Sequence, residues 1–156
     1  MKRKWEKELL SLFDYLQKNN TNMNNHEKAI VCVDDEKIIL NSLQSMLSRN
    51  LGNDYIYEFA ESAEEAIEVI GELSKEGYKL EAVISDWLMP GMKGDEFLSK
   101  VHEKYPEITK VLLTGHVDSK VVKRLETDNH EGIHCIFKPW KDGNIIEVIK
   151  HEDSHR

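Results

Sequence analysis

Five polar residues occupy one kind of place in this chain, directly after a short apolar or β-branched run. Asp34 and Asp35 follow residues 29–33, Asp86 follows 82–85, Thr114 follows 110–113 and Lys138 follows 134–137. Carboxylates pressed together repel, and a hard divalent cation relieves them; Mg²⁺ takes oxygen ligands octahedrally and keeps several waters. A phosphoryl oxygen can complete such a shell. Asp86 is then placed to attack phosphorus, since carboxylates act as nucleophiles in aspartyl-phosphate chemistry and the transfer depends on positioning and charge neutralisation. A threonine hydroxyl can donate to a phosphoryl oxygen and a lysine ammonium supplies a point charge. Pro139 holds the backbone of Lys138 extended and so directs the lysine as it leaves its strand.

For these groups to meet, the runs must be strands of one sheet. From residue 29 to residue 151 short β-branched or apolar runs alternate with segments of helical period, the pattern of βα units around a parallel sheet. Strands are expected at 29–33, 55–59, 82–85, 110–113 and 134–137. Between them apolar residues recur at helical spacing: Ile39, Leu43, Met46 and Leu47; Ala66, Ile67, Ile70 and Leu73; Phe97, Leu98, Val101 and Tyr105. Ser62 and Glu65 fit a capping box at the head of the second of these helices, and Tyr105-Pro106 ends the third. Two more helices are expected at 119–128, on Val121, Val122 and Leu125, and at 142–150, on Ile145, Ile146 and Ile149. The fold class is therefore α/β, a doubly wound five-stranded parallel sheet. In the flavodoxin-like order 2-1-3-4-5 the first and third strands are neighbours, and ligands bind beyond the carboxyl ends of the strands where strand order reverses. There Asp34, Asp35 and Asp86 converge.

The chain has 156 residues, room for one core and an appended segment. Its formal net charge of -8 gives no electrostatic footing for gripping nucleic acid phosphates, so direct nucleic acid binding is not expected. No apolar run approaches the roughly 20 residues of a membrane span, and a soluble, cytoplasmic protein is expected. Cys32 and Cys135 read as small buried hydrophobes. Their strands would lie three steps apart, about 14 Å, well beyond the roughly 7 Å that a disulfide spans. His130 and His134 have the spacing of helical zinc ligands, yet Gly132 intervenes and a strand is beginning, so zinc is not expected.

As a set, Val31-Cys-Val-Asp-Asp-Glu36, Ile84-Ser-Asp-Trp-Leu-Met-Pro-Gly-Met-Lys-Gly94, Leu112-Leu-Thr-Gly115 and Phe137-Lys-Pro-Trp140 resemble the receiver domain of two-component response regulators. The resemblance implies that Asp86 accepts a phosphoryl group from a histidine kinase or histidine phosphotransfer protein, or from small phosphodonors. It implies that Asp35 and Asp86 bind Mg²⁺, that Asp34 acts mainly through water, and that the backbone carbonyl of Leu88 is a further metal ligand. Thr114 and Lys138 would hold the phosphoryl oxygens. Leu88 and His116 match positions that tune dephosphorylation, and Met89, Pro90 and Gly94 match the loop after the acceptor. The domain would be a phosphoacceptor with autodephosphorylation, not an enzyme that turns over a separate substrate. A phosphatase of the haloacid dehalogenase type needs its nucleophile after the first strand in an Asp-x-Asp pattern, whereas Leu88 stands second after Asp86.

The pattern departs at Cys135, where the family usually has tyrosine or phenylalanine three residues before the lysine. Phe137 shares its strand face by alternation. Residues 27–156 are expected to form the receiver. Residues 1–26 carry a helical stripe (Trp5, Leu9, Leu12, Phe13, Leu16) and a polar stretch, 19–25, that reads as a linker. That helix either packs on its own receiver or serves dimerisation or partner docking. With only polar residues beyond the last helix, a stand-alone receiver is expected, whose output passes through contact with a downstream protein or a homodimer. The face expected for that contact is the fourth receiver helix (119–128), the fifth strand and the fifth receiver helix (142–150).

Overall fold

In a computed structural model of the chain, described for residues 2–22, 27–115 and 132–154 and positions 120 and 123, the expected βα alternation forms one five-stranded parallel sheet. Its strands are β1 (Lys28–Val33), β2 (Tyr55–Ala60), β3 (Lys79–Asp86), β4 (Thr109–Thr114) and β5 (Ile133–Phe137), in the order β2-β1-β3-β4-β5. The helices are α1 (Lys4–Asn22), α2 (Lys37–Leu51), α3 (Ala63–Lys75), α4 (Gly94–Lys104) and α5 (Asp142–Ser154). The helix expected at 119–128 lies outside the described residues apart from positions 120 and 123, and so do His116 and His130.

The central strands read as unbroken apolar runs because both faces of the sheet are covered. Alternate β1 residues feed two cores. Ala29, Val31 and Val33 pack with Ala66, Ile70 and Leu73 of α3 and Phe97, Leu98 and Val101 of α4. Ile30 and Cys32 pack with Leu43, Met46 and Leu47 of α2 and Ile145 and Ile149 of α5. The edge strands β2 and β5 are only partly buried. Cys32 and Cys135 form no disulfide, with β3 and β4 between their strands.

Three local expectations change. Ile67 is exposed rather than part of the greasy face of α3, because the buried set is Ala63, Ala66, Ile70 and Leu73 and Ile67 falls on its flank. The Ser62 hydroxyl accepts from the Glu65 N–H at 3.1 Å as a cap should, but the Glu65 carboxylate returns to the Glu61 N–H at 2.9 Å, one residue before the cap. α1 runs through Asn22, so part of the polar stretch is helical; once a helix is nucleated each further residue adds a hydrogen bond.

Lys110 is the largest surprise in the sheet. It is 0% exposed, near the start of β4, and its ammonium donates to the carbonyls of Ile108 at 2.7 Å and Pro106 at 3.3 Å in the turn that follows α4. The charge is tolerated because carbonyl dipoles replace its hydration. Lys110→Met keeps the length and strands those acceptors, and is expected to cost about 2 kcal/mol. Urea unfolding checks this: the midpoint falls with the slope unchanged, and a variant as stable as wild type would show the cage contributes nothing.

Candidate functional site

β1, β3 and β4 are adjacent, and their carboxyl ends come level: Val33 pairs with Ser85, and Asp86 pairs with Leu113. The residues one step further on therefore share one crevice, at the point where the chain reverses from β1 outward to β2 and then back to β3. Asp34, Asp35 and Asp86 present carboxylate oxygens that all lie within 4.8 Å of one another. Asp34 and Asp86 are buried and Asp35 is exposed.

Asp34 is pinned on both oxygens. Its Oδ1 accepts the Glu36 N–H at 2.9 Å, beside the head of α2, and its Oδ2 faces Lys138 Nζ at 3.3 Å. Lys138 Nζ also lies 3.0 Å from Asp86 Oδ1, so one ammonium serves two buried carboxylates. The lysine is aimed by its backbone, whose N–H donates to the Thr114 carbonyl at 2.9 Å; the following Lys138–Pro139 peptide bond is cis. Thr114 itself is buried at the end of β4, beside β5, where it pairs with Phe137.

These contacts set the charges. Burial pushes the Asp86 carboxyl above its ordinary value, the Lys138 ammonium pulls it part of the way back, and the charge of Asp34 adds to the rise. Burial works to lower Lys138, but the hydrogen bond and charge of Asp86, with those of Asp34, outweigh it and hold the ammonium above its usual range. The site thus keeps a cation permanently in place beside a carboxylate that is costly to ionise.

The loop after Asp86 turns back on it. The Trp87 N–H donates to the Leu113 carbonyl at 2.9 Å and the Gly94 N–H to the Trp87 carbonyl at 2.9 Å, so α4 begins against the site. A Cβ on Gly94 would collide with the Asp86 carbonyl and press on Leu112, so only glycine fits there. Trp87 is half-buried with Lys93 5.5 Å above its ring, Trp140 is half-buried against the α2–α5 core, and Leu88 turns its side chain outward. Every site residue named from the sequence except His116 falls within the described residues, and Asp34, Asp35, Asp86 and Lys138 are brought into one cluster. Cys135 is half-buried against the core of the α3–α4 face, while Phe137 on β5 is 45% exposed at the strand end. The space requirement at Gly94 was not legible from residue type beyond the glycine itself.

Three oxygen donors of this kind, two of them buried beside Lys138, could hold a hard divalent cation. No helix among the described residues is long and apolar enough to cross a membrane.

Comparison with known proteins agrees with this geometry. The family model of the response regulator receiver domain matches residues 30–150. The hydrogenase transcriptional regulatory protein HoxA of Cupriavidus necator is 29% identical over 129 residues, which cover 82% of this chain and 24% of that protein. The transcriptional regulatory protein FixJ of Rhizobium meliloti is 29% identical over 123 residues, 79% of this chain and 55% of that protein. The chain thus spans about a quarter of the first of these relatives and about half of the second. Among solved structures, the signal receiver domain of an HD domain-containing protein from Pseudomonas fluorescens superposes with a TM-score of 0.69 at 28% identity, covering 83% of this chain and 96% of that one. A CheY-like receiver domain protein from Methanospirillum hungatei gives 0.66 at 27% identity, covering 83% and 98%. Domains of this kind are phosphoacceptors in two-component signalling, and they bind Mg²⁺ at an acidic pocket. With the family model covering residues 30–150, which hold the acidic edge and all of the sheet but the first two residues of β1, the chain belongs to the response regulator receiver domain family.

Proposed function

We propose that Asp86 accepts a phosphoryl group from a histidine kinase or histidine phosphotransfer protein in the cytoplasm, and that the acyl phosphate so formed changes which protein surfaces this domain engages. The observation that carries the reading is the single ammonium of Lys138, held 3.0 Å from Asp86 and 3.3 Å from Asp34. A group so placed meets charge arriving on Asp86 without moving far.

In the transfer an Asp86 oxygen forms the new O–P bond as the N–P bond of phosphohistidine breaks, and the imidazole leaves with the electron pair. Lys138 and the Thr114 hydroxyl take the phosphoryl oxygens, and Asp34 keeps Lys138 in position. Asp35, Asp86 and the Leu88 carbonyl would hold Mg²⁺, with Asp34 acting through water. The cation supplies neutralisation of the charge on the transferring group. Hydrolysis of the acyl phosphate by water resets the domain. The altered contacts of Lys138 and Thr114 reach β5 and α5, which adjoin them, and so change the surface a downstream protein meets.

The direct test is incubation with acetyl phosphate and Mg²⁺ followed by intact mass measurement. One phosphoryl group per chain is expected, and none when EDTA replaces Mg²⁺. Absence of added mass under conditions that label a control receiver would sink the proposal.

The raised Asp86 carboxyl predicts how Mg²⁺ binding responds to acid. The cation binds the ionised site, so protons compete below the Asp86 pKa and apparent affinity falls by up to about tenfold per pH unit. Because that pKa lies above its ordinary 3.8, the loss begins at a higher pH than a free aspartate would give. Lys138→Met, which removes the pull downward, shifts the onset higher still. Tryptophan fluorescence from Trp87 and Trp140 during Mg²⁺ titration at several pH values reads both. An onset at or below 3.8 in the wild type would contradict it.

A further inference from the structure

The apolar stripe of α1 belongs to neither core: no described α1 residue is among those packed on either face of the sheet. Trp5, Leu9, Leu12, Phe13 and Leu16 are between 54% and 60% exposed. A helix in a protein draws most of its stability from packing its amphipathic face, and this 19-residue helix instead turns a row of large hydrophobes to solvent. Something covers it, and the spacing says what shape the cover has. Trp5, Leu9, Leu12 and Leu16 are separated by four, three and four residues, the alternation of a two-helix seam, with Phe13 and Tyr15 flanking it on either side.

We propose that α1 pairs antiparallel with α1 of a second copy of this chain. Matching the seam to itself in that sense sets Trp5 against Leu16 and Leu9 against Leu12 of the other copy, closing all four layers with no residue left over. Covering the exposed parts of these side chains and Phe13 removes on the order of 1,200 Å² in total, the lower end of stable interfaces. Charge selects the orientation. Residues 1–26 hold five basic and three acidic side chains, net +2, so the total of -8 leaves -10 on residues 27–156. A parallel pair would crowd two copies of Lys2, Arg3 and Lys4 at one end and two acidic domains at the other. The antiparallel pair sets the domains apart by the helix length, about 28 Å. It also brings each basic end to the carboxyl end of the other helix, where the helix dipole is negative and an acidic domain follows. The pairing stands on α1 alone and does not depend on phosphoryl acceptance.

Analytical ultracentrifugation of the full chain at about 100 µM is the test, since an interface of this size supports micromolar affinity. A dimer is expected. The double variant Leu9→Glu, Leu12→Glu is expected to sediment as a monomer, with the thermal unfolding midpoint of the receiver domain unchanged, as is the chain lacking residues 1–25. A monomeric wild type overturns the proposal and points to a different protein as the cover. A dimer that survives both changes also overturns it. For orientation, Leu9→Cys and Leu12→Cys chains, each carrying Cys135→Ser, are mixed and oxidised. A disulfide between the two variants is expected, and preferential linkage of Leu9→Cys to itself overturns the antiparallel arrangement.

Discussion

Asp86→Asn is expected to take up no phosphoryl group from acetyl phosphate and Mg²⁺ while remaining folded. The amide fills the same space beside Lys138 and can still accept its hydrogen bond, so packing is preserved. It lacks the negative oxygen that attacks phosphorus, and the loss should exceed a thousandfold in rate, beyond detection by intact mass. The variant should also bind Mg²⁺ more weakly, since one of three carboxylates in the cluster is gone. Because Asp86 lies buried beside Asp34 and Lys138, removing its charge relieves a desolvation cost. Asp86→Asn is accordingly expected to be at least as stable as wild type near neutral pH. The sign follows from the raised carboxyl: ionisation of a group whose folded pKa is raised penalises the fold as pH climbs past its unfolded value, and asparagine never incurs that penalty. Undiminished labelling of the variant would move the acceptor to another residue.

Gly94→Ala is expected to damage both fold and site, by a route invisible in any list of charged residues. The added methyl collides with the Asp86 carbonyl and presses on Leu112 in the core. The Asp86 carbonyl is backbone and Leu112 is fully buried, so the backbone of β3 or the start of α4 must shift. Overpacking of this kind costs roughly 3 kcal/mol. A shift of even 1 Å at the reacting carboxylate costs about a hundredfold in rate. The matching control is Gly71→Ala within α3, where a Cβ meets open space and the helix gains about 0.5–1 kcal/mol. Denaturant unfolding and the labelling rate, measured side by side, check both. Equal behaviour of the two variants would show that the close approach at Gly94 carries no weight.

Much of the fold and of the site is legible in the amino-acid sequence. The strand positions followed from β-branched and apolar runs, and the helix heads and ends from Ser62 and Pro106, because these signals are local and act within a few residues. The acidic pair after β1 and the aspartate after β3 were visible for the same reason. Local signals fail where burial depends on what lies across the core. Ile67 satisfies the helical period yet faces solvent, and Lys110 sits in a run that reads as strand yet holds a fully buried ammonium. Nothing in the residue type of a lysine announces that turn carbonyls will surround it.

The amino-acid sequence by itself determined the chemistry available: which residues carry carboxylates, hydroxyl and ammonium, and that each stands at a strand end. These are properties of residue type and of periods of two and 3.6, written along the chain. The tertiary structure alone decided which of them share a charge. Lys138 meets Asp34 across 104 residues of chain because β3 inserts between β1 and β4, and strand order is settled by the packing of whole helices on the sheet. It also decided that Gly94 must make room for Asp86 and that, among the described residues, the stripe of α1 joins neither core. Both depend on surfaces that exist only once the sheet has closed.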